Sequence, residues 1–240
     1  MSIMLKDGSS TEDIRLDRVI EFDERSKAFP VSALAKRKRK PKSNKWRCRM
    51  WLNQMAEGSC VGCGIAHELA ARPAEVRPMT FKYAKEKIYW EAQKIDPWPG
   101  GAFPKSKPFY EGTTVLAGVK IAHKLGWFEK YRWAFSLKDL KLGVGYNGPA
   151  VMGLKWYAGM RTPDKKGYIH PTGKLIGGHC ILCNGVDIKN KRFTLHNSWG
   201  KSWGRNGECF ISFKDMDKLL HREGEAVFFE KRHLRPKPKK

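Results

Sequence analysis

The sequence predicts an α+β fold, with helices in the first half of the chain and short strands in the second. Two observations carry this. Apolar residues recur at helical spacing through residues 60–93 and again near 115–122, whereas beyond residue 150 the chain breaks into runs of five or six β-branched and apolar residues separated by Gly, Asn and Asp. Helices first and strands afterwards is the order of an α+β architecture, not of alternating α/β units. The 240 residues are 41% apolar and 12% aromatic, enough to bury a sizeable core without disulfides.

Taken in order, residues 1–35 read as an irregular or partly docked arm and 36–44 as a solvated basic linker, with order expected from about Trp46. Gly58-Ser59 introduces a helix from Cys60 to Arg72, stopped by Pro73. A second helix spans Thr80 to Gln93 on Phe81, Ala84, Ile88 and Ala92. The Pro- and Gly-rich stretch 96–112 reads as a long surface loop. Thr113 or Thr114 caps a third helix closed by Gly126, and Ser136 caps a short one to Leu142. Strands are expected at Ala150–Leu154, Gly178–Cys183, Arg192–His196, Glu208–Phe213 and Glu225–Phe229, with a short helix at Asp215–His221. This divides the chain into an arm with linker (1–44), a helical part (about 45–135), a sheet part (about 136–230) and a basic tail (231–240).

The formal charge of +23 invites a reading as a nucleic-acid binder. Nine basic residues lie between Lys36 and Arg49 and six between Lys231 and Lys240, with no acid in either stretch, and together they account for all but +8 of the total. Residues 36–49 and 231–240 therefore suit non-specific contact with nucleic acid or an acidic surface, as an accessory at most. No apolar run of 18 residues exists and the first 29 residues lack an apolar core segment, so no membrane span and no secretory signal is expected and the expected setting is cytoplasmic. Most of the six cysteines are then expected as thiols, with one facultative disulfide left open.

Three segments carry chemistry. Gln54 to Cys60 ends where a loop becomes a helix, and a thiol at a helix N-terminus faces unpaired N–H groups that favour the thiolate. Gly177-Gly178-His179 starts a strand with an imidazole after two glycines that let backbone or substrate approach closely. Asn197-Ser198-Trp199-Gly200 offers an amide to orient an imidazole and an indole to shield it. Singly, each has a structural explanation; together, with Gln54 six residues before Cys60 and Asn197 opening Asn-Ser-Trp-Gly-x-x-Trp-Gly-x-x-Gly, the sequence from about Trp46 to Phe229 resembles the papain-like (C1) cysteine peptidases, nearest to their short bacterial and bacteriophage branch.

The resemblance implies a two-subdomain fold, a helical half carrying the Cys and a mostly antiparallel half carrying the His and Asn. It implies a peptidase acting on polypeptides, with Cys60 as nucleophile, His179 as general acid and base in a thiolate–imidazolium pair, and Asn197 orienting the ring. Gln54 and the Cys60 N–H would form the oxyanion hole, Trp199 would cover the His–Asn contact, and Gly177 and Gly178 would border the substrate; no cofactor and no metal is implied. Met55 departs from the family's Gly, and Cys63 offers a second thiol, though the spacing from Gln54 favours Cys60. The 53 residues before Gln54 lack the long amphipathic helix of the inhibitory pro-segments, which puts control of activity elsewhere. The pairs Cys60-x-x-Cys63 and Cys180-x-x-Cys183 suggest zinc only weakly, since 116 residues separate them and strand positions three apart face opposite sides. The alternative from another class is a papain-fold binding or phage structural protein held to nucleic acid by its basic segments; acyl transfer to an amine is a minor third.

Overall fold

The computed structural model describes residues 2–21, 26, 28–31 and 39–237. Lys36, Arg37 and Lys38 of the basic run, and Lys239 and Lys240 of the tail, lie outside the described residues.

Helix α1 (Cys60–Ala70) is buried along its whole length. It can lie so deep because Gly62 and Gly64 carry no side chain: a Cβ at Gly62 would stand 2.2 Å from the Ala84 carbonyl and one at Gly64 2.7 Å from Cys180 Sγ. The second predicted helix is present but not uniform. Thr80 caps it through Tyr83 N–H (3.1 Å), and α2 (Phe81–Tyr83) passes through a π-helical turn, Ala84–Tyr89, into α3 (Trp90–Gln93). Thr114, not Thr113, caps α4 (Val115–Lys124) by accepting from Ala117 N–H at 3.0 Å. Ser136 caps α5 (Leu137–Tyr146), which outruns its predicted end at Leu142.

The main sheet joins β4 (Asn44–Lys45), β6 (Phe128–Ala134), β7 (Ala150–Tyr157), β8 (Leu175–Asp187), β9 (Arg192–His196), β10 (Glu208–Ser212) and β11 (Glu225–Arg232), ordered β10-β9-β8-β7-β11-β6 with β4 on β8. Helix α6 (Phe213–Leu220) follows β10. Every pairing within this sheet is antiparallel. Both faces are covered. Ile65, Leu69, Val119, Cys180, Leu182 and Phe229 pack on the side of α1 and α4; Leu140, Val144, Ile181, Cys183, Met216 and Leu219 pack on the side of α5 and α6. Strand β6 escaped the sequence reading. It pairs with β11 and, through Trp133 N–H, with Phe29 O at 2.9 Å, and it carries Glu129, Lys130 and Arg132, charges that break the apolar pattern a buried strand would show.

Two boundary expectations are corrected. Order begins well before Trp46: β1 (Ile3–Met4) pairs with β2 (Ser10–Thr11), and β3 (Arg18–Val19) pairs in parallel with β5 (Thr113–Thr114). Leu5, Leu16 and Val19 are buried, and Lys6 forms a fully buried ion pair with Asp96 at 2.6 Å. The apolar anchors sit two or more residues apart among charges, so no periodicity announces them. At the other end the basic tail begins inside the sheet. Arg232 pairs with Glu68 of α1 at 2.6 Å with both side chains buried, and Lys231 pairs with Glu129 at 2.7 Å.

Burial raises the Glu68 carboxyl, and Arg232 is the cation that opposes the rise. Replacing Arg232 by methionine leaves that carboxylate alone inside the protein, so the variant is expected to lose about 3–5 kcal/mol of stability in urea unfolding. A loss under about 1 kcal/mol would show that the pair is solvated. Among the described residues no helix is long and apolar enough to cross a membrane.

Candidate active site

The first and third motif segments, with Gln54 and Ser198 144 residues apart in sequence, are stitched together by backbone. Gln54 N–H donates to Ser198 O at 2.9 Å, Gly200 N–H to Leu52 O at 3.1 Å, and Asn53 bridges Trp199. The Ser198 hydroxyl donates to Gln54 Oε1 at 2.6 Å and fixes which way that amide faces. Beneath this loop His196 reaches Met50 O at 2.8 Å, and His67 Nε2 accepts from Leu52 N–H at 3.1 Å. Burial disfavours charge on His196, but Cys48 and Glu208 beside it prevail and raise it to about 9. Burial likewise works against ionised Glu208, yet His196, Lys45 and Asn184 hold it down to about 2. A charged pair thus props up the loop that carries Gln54.

Cys60 is the first residue of α1, and its Sγ accepts a hydrogen bond from Cys180 N–H at 3.2 Å. Cys180 directly follows His179 on β8, so this bond ties the thiol to the strand that carries the imidazole. His179 Nε2 lies 2.8 Å from Asn197 Oδ1. The indoles of Trp156 and Trp199 enclose the ring, with centroids 4.8 and 4.9 Å away.

The remaining face of the site is filled by the N-terminal arm. Arg15 O lies 3.2 Å from His179 Nδ1 and accepts from Gln54 Nε2 at 3.4 Å. Asp17 Oδ1 accepts the Cys60 backbone N–H at 3.2 Å. The Arg15 guanidinium stacks 4.3 Å above Trp199, and Leu16 is completely buried. The close approach expected at Gly177-Gly178 is made by this segment: a Cβ on Gly178 would fall 2.1 Å from Arg18 O, and one on Gly177 2.8 Å from Leu16 Cβ.

Protonation follows from this enclosure. Burial first, then the Asp17 charge, pushes the Cys60 thiol well above its ordinary range. Burial lowers His179 to about 4, although its bonds to Asn197 and Arg15 O favour the charged ring. In this conformation the expected thiolate–imidazolium pair is disfavoured, because the arm removes the water and adds a carboxylate where the helix N-terminus alone would favour a thiolate. Nor does the thiol bond to His179; its recorded partner is the next residue's N–H.

Gln54, Cys60, His179, Asn197, Trp199, Gly177 and Gly178 are thus brought around one stretch of chain, residues 15–18. Cys63 is buried one turn inside α1, 4.0 Å from the Ser59 hydroxyl, and burial pushes it to about 12. Trp156, Ser198, Arg15, Asp17 and Arg18 are not among the site residues expected from the sequence. Trp156 had a signal, an aromatic on a strand beside the His strand; the arm residues had none.

No protein-family model matches the chain. Cathepsin B of Dictyostelium discoideum is 41% identical over 54 residues, 20% of this chain and 16% of that protein. An uncharacterised peptidase C1-like protein of Acanthamoeba polyphaga mimivirus is 20% identical over 207 residues, 68% of this chain and 64% of that one. The matched part is thus under two thirds of either relative. Xylellain, a cysteine protease from Xylella fastidiosa, superposes with a TM-score of 0.70 at 17% identity, covering 94% of this chain and 99% of the other. The fold is that of the papain-like cysteine peptidases. Digestive procathepsin L 3 of Tenebrio molitor also shares this papain-like fold, with a TM-score of 0.57 at 14% identity over 92% of this chain and 75% of the other. These relatives do not assign the chain to a bacteriophage branch. Among the described residues of the basic run, Arg39 and Lys42 lie over Tyr146, Lys45 pairs with Glu208 and Arg47 with Glu75. That lowers the charge available to nucleic acid.

Proposed function

We propose that the chain is a papain-like cysteine peptidase whose own N-terminal arm occupies the site in the described conformation. The observation that carries this reading is the bond from Cys180 N–H to Cys60 Sγ, which sets the thiol beside a His179–Asn197 pair already closed at 2.8 Å. Withdrawal of residues 15–18 frees the Cys60 N–H from Asp17, and frees Gln54 Nε2 and His179 Nδ1 from Arg15 O. The thiol proton then passes to His179, whose charge Asn197 Oδ1 stabilises through Nε2–H. Cys60 Sγ attacks the peptide carbonyl carbon while the carbonyl oxygen takes the Cys60 N–H and Gln54 Nε2. The C–N bond breaks, the imidazolium proton goes to the leaving amine, and water, deprotonated by His179, hydrolyses the thioester. Trp156 and Trp199 keep water from the His–Asn bond. The six free thiols suit the reducing, cytoplasmic setting expected from the sequence.

The test compares the unmodified chain with Leu16→Asp, which sets a carboxylate into the apolar seat of the arm. The variant should hydrolyse unfolded casein at least tenfold faster, the direction expected if docking loses about 1.4 kcal/mol or more, and iodoacetamide should then label Cys60. A folded variant that cleaves nothing and leaves Cys60 unlabelled would overturn the reading.

A further inference from the structure

We propose that two buried imidazoles outside the Cys60–His179 pair, His196 and His67, are positioning residues for the oxyanion hole, locking the Gln54 loop to the helix of Cys60 and the turn of Asn197. This rests on the peptidase reading above. Each ring belongs to a segment that already carries a reacting or orienting group. His67 lies on α1, seven residues beyond Cys60 and so two turns along the same helix. His196 ends β9 and directly precedes Asn197. Both rings reach the short stretch before Gln54: His196 Nε2 lies 2.8 Å from Met50 O, and Leu52 N–H donates to His67 Nε2 at 3.1 Å. They meet edge to face with centroids 4.5 Å apart, and both are buried. Two neighbouring rings thus tie three segments of the site, which lie far apart in sequence, to one point.

The rings carry different protons. Because Leu52 N–H occupies His67 Nε2, the His67 proton sits on Nδ1, which has no hydrogen-bond partner among the described residues. Burial first, and then the charge on His196, hold His67 well below the ordinary imidazole range. His196 is the charged ring: Met50 O accepts from Nε2–H, and Nδ1 stands 3.6 Å from Glu208 Oε1. Cys48 closes another side, with Sγ 3.5 Å from Met50 O and 3.6 Å from His67 O, while Lys45 and Asn184 hold Glu208 in place at 2.6 and 2.8 Å. An oxyanion donor is effective only when it already points to where the charge develops. Gln54 Nε2 gets that direction from its loop, which these rings grip at Met50 and Leu52 and Ser198 grips at Gln54 itself. Removing His196 frees Met50 O and leaves Glu208 to Lys45 and Asn184. The thiol is held separately, by Cys180 N–H, so the loss falls on the oxyanion hole and not on the nucleophile.

His196→Ala and His196→Gln are made in the full-length Leu16→Asp protein, with thermal melting as a check on folding. Glutamine keeps an N–H for Met50 O and gives up the charge. His196→Ala should lower kcat on a fluorogenic peptide about 10²-fold, the scale of one lost oxyanion donor, with KM unchanged. The rate at which iodoacetamide alkylates Cys60, a displacement at carbon that uses no oxyanion hole, should stay as it was. His196→Gln should restore most of the lost kcat. An unchanged kcat, an alkylation rate that falls as far as kcat, or a His196→Gln protein no faster than His196→Ala overturns the proposal and leaves the peptidase reading standing. Where His196→Ala does not fold, His67→Phe, which keeps the ring contact and drops the acceptor for Leu52 N–H, takes its place under the same outcomes. If the Leu16→Asp parent cleaves nothing, the peptidase reading fails and hydrogen exchange of the otherwise unmodified chain decides the positioning. The Leu52 and Gln54 amides should then lose about tenfold or more of their protection in His196→Ala, and equal protection overturns the proposal.

Discussion

In the arm-loosened Leu16→Asp protein, Cys60→Ala is expected to reduce hydrolysis by about 10⁶-fold, the scale on which a nucleophile that acts as one unit with its base is lost. The thermal transition should move little, because the substitution removes one sulfur at the start of α1, which faces the Cys180 N–H and the Asp17 carboxyl. Cys63→Ala separates the two thiols. Cys63 sits beneath the helix start near Ser59, with no recorded contact to His179 or Asn197. Its replacement should cost about 1 kcal/mol of stability through a small cavity and leave turnover unchanged. Steady-state kinetics on the two variants decides the matter, and activity that survives in Cys60→Ala but vanishes in Cys63→Ala would reverse the assignment.

Arm docking is expected to be strongest near pH 4 and to weaken as the pH rises toward 7. Burial raises Asp17 to about 6, even though the Cys60 thiol and N–H and Tyr89 favour its charged form. Glu111, bonded by the Tyr89 hydroxyl at 2.9 Å, is raised to about 7, first by burial and then by the Asp17 charge. The arm itself covers Glu111, since Lys6 N–H donates to Glu111 O at 3.0 Å and Leu5 bridges it. Glu57 and Lys85 complete the charged surroundings, one adding to the repulsion and the other opposing it.

The sign follows from linkage. A carboxyl whose docked pKa lies above its released value stabilises docking fully below the released pKa and loses that contribution as pH climbs through the docked one. For Asp17 the shift from 3.8 to about 6 corresponds to a contribution on the order of 3 kcal/mol, about a hundredfold in the docking equilibrium. Cys60 and His179 nearly cancel, because the pair holds one proton docked as a neutral thiol and one proton released as an imidazolium. The ion pairs Lys6–Asp96 and Arg18–Glu225 need ionised acids, so docking weakens again in strong acid. Hydrogen exchange of the amides of residues 11–19, corrected for intrinsic rates, should lose protection between about pH 4 and 7. Asp17→Asn should flatten that slope; a slope unchanged by the substitution would refute the mechanism.

Much of the site was legible because its residues are fixed by local chemistry and spacing. Gln54 and Cys60 lie on one loop and helix start, Gly177, Gly178 and His179 on one strand, and Asn197 to Gly200 on one turn, so each segment is a short pattern that a single sequence displays. The charges were less legible. The run from Lys36 to Arg49 reads as a free basic surface, yet Lys45 and Arg47 find Glu208 and Glu75, acids 163 and 28 residues away. Strand β6 was missed because a strand at the end of the sheet tolerates Glu129, Lys130 and Arg132 in its pattern.

The sequence by itself determined the α+β class, the helix cap at Ser136, and the candidate set of groups for acting on a carbonyl, because capping and thiol chemistry depend on residues a few positions apart. Only the tertiary structure decided what those groups face. The arm contributes Arg15, Leu16, Asp17 and Arg18 to the site from more than 40 residues upstream of Cys60, and contacts across that distance are set by packing and buried charge, which leave no period in the sequence. A thiol that its helix position favours as thiolate is held neutral here for that reason: burial beside a carboxylate outweighs the dipole of one helix end.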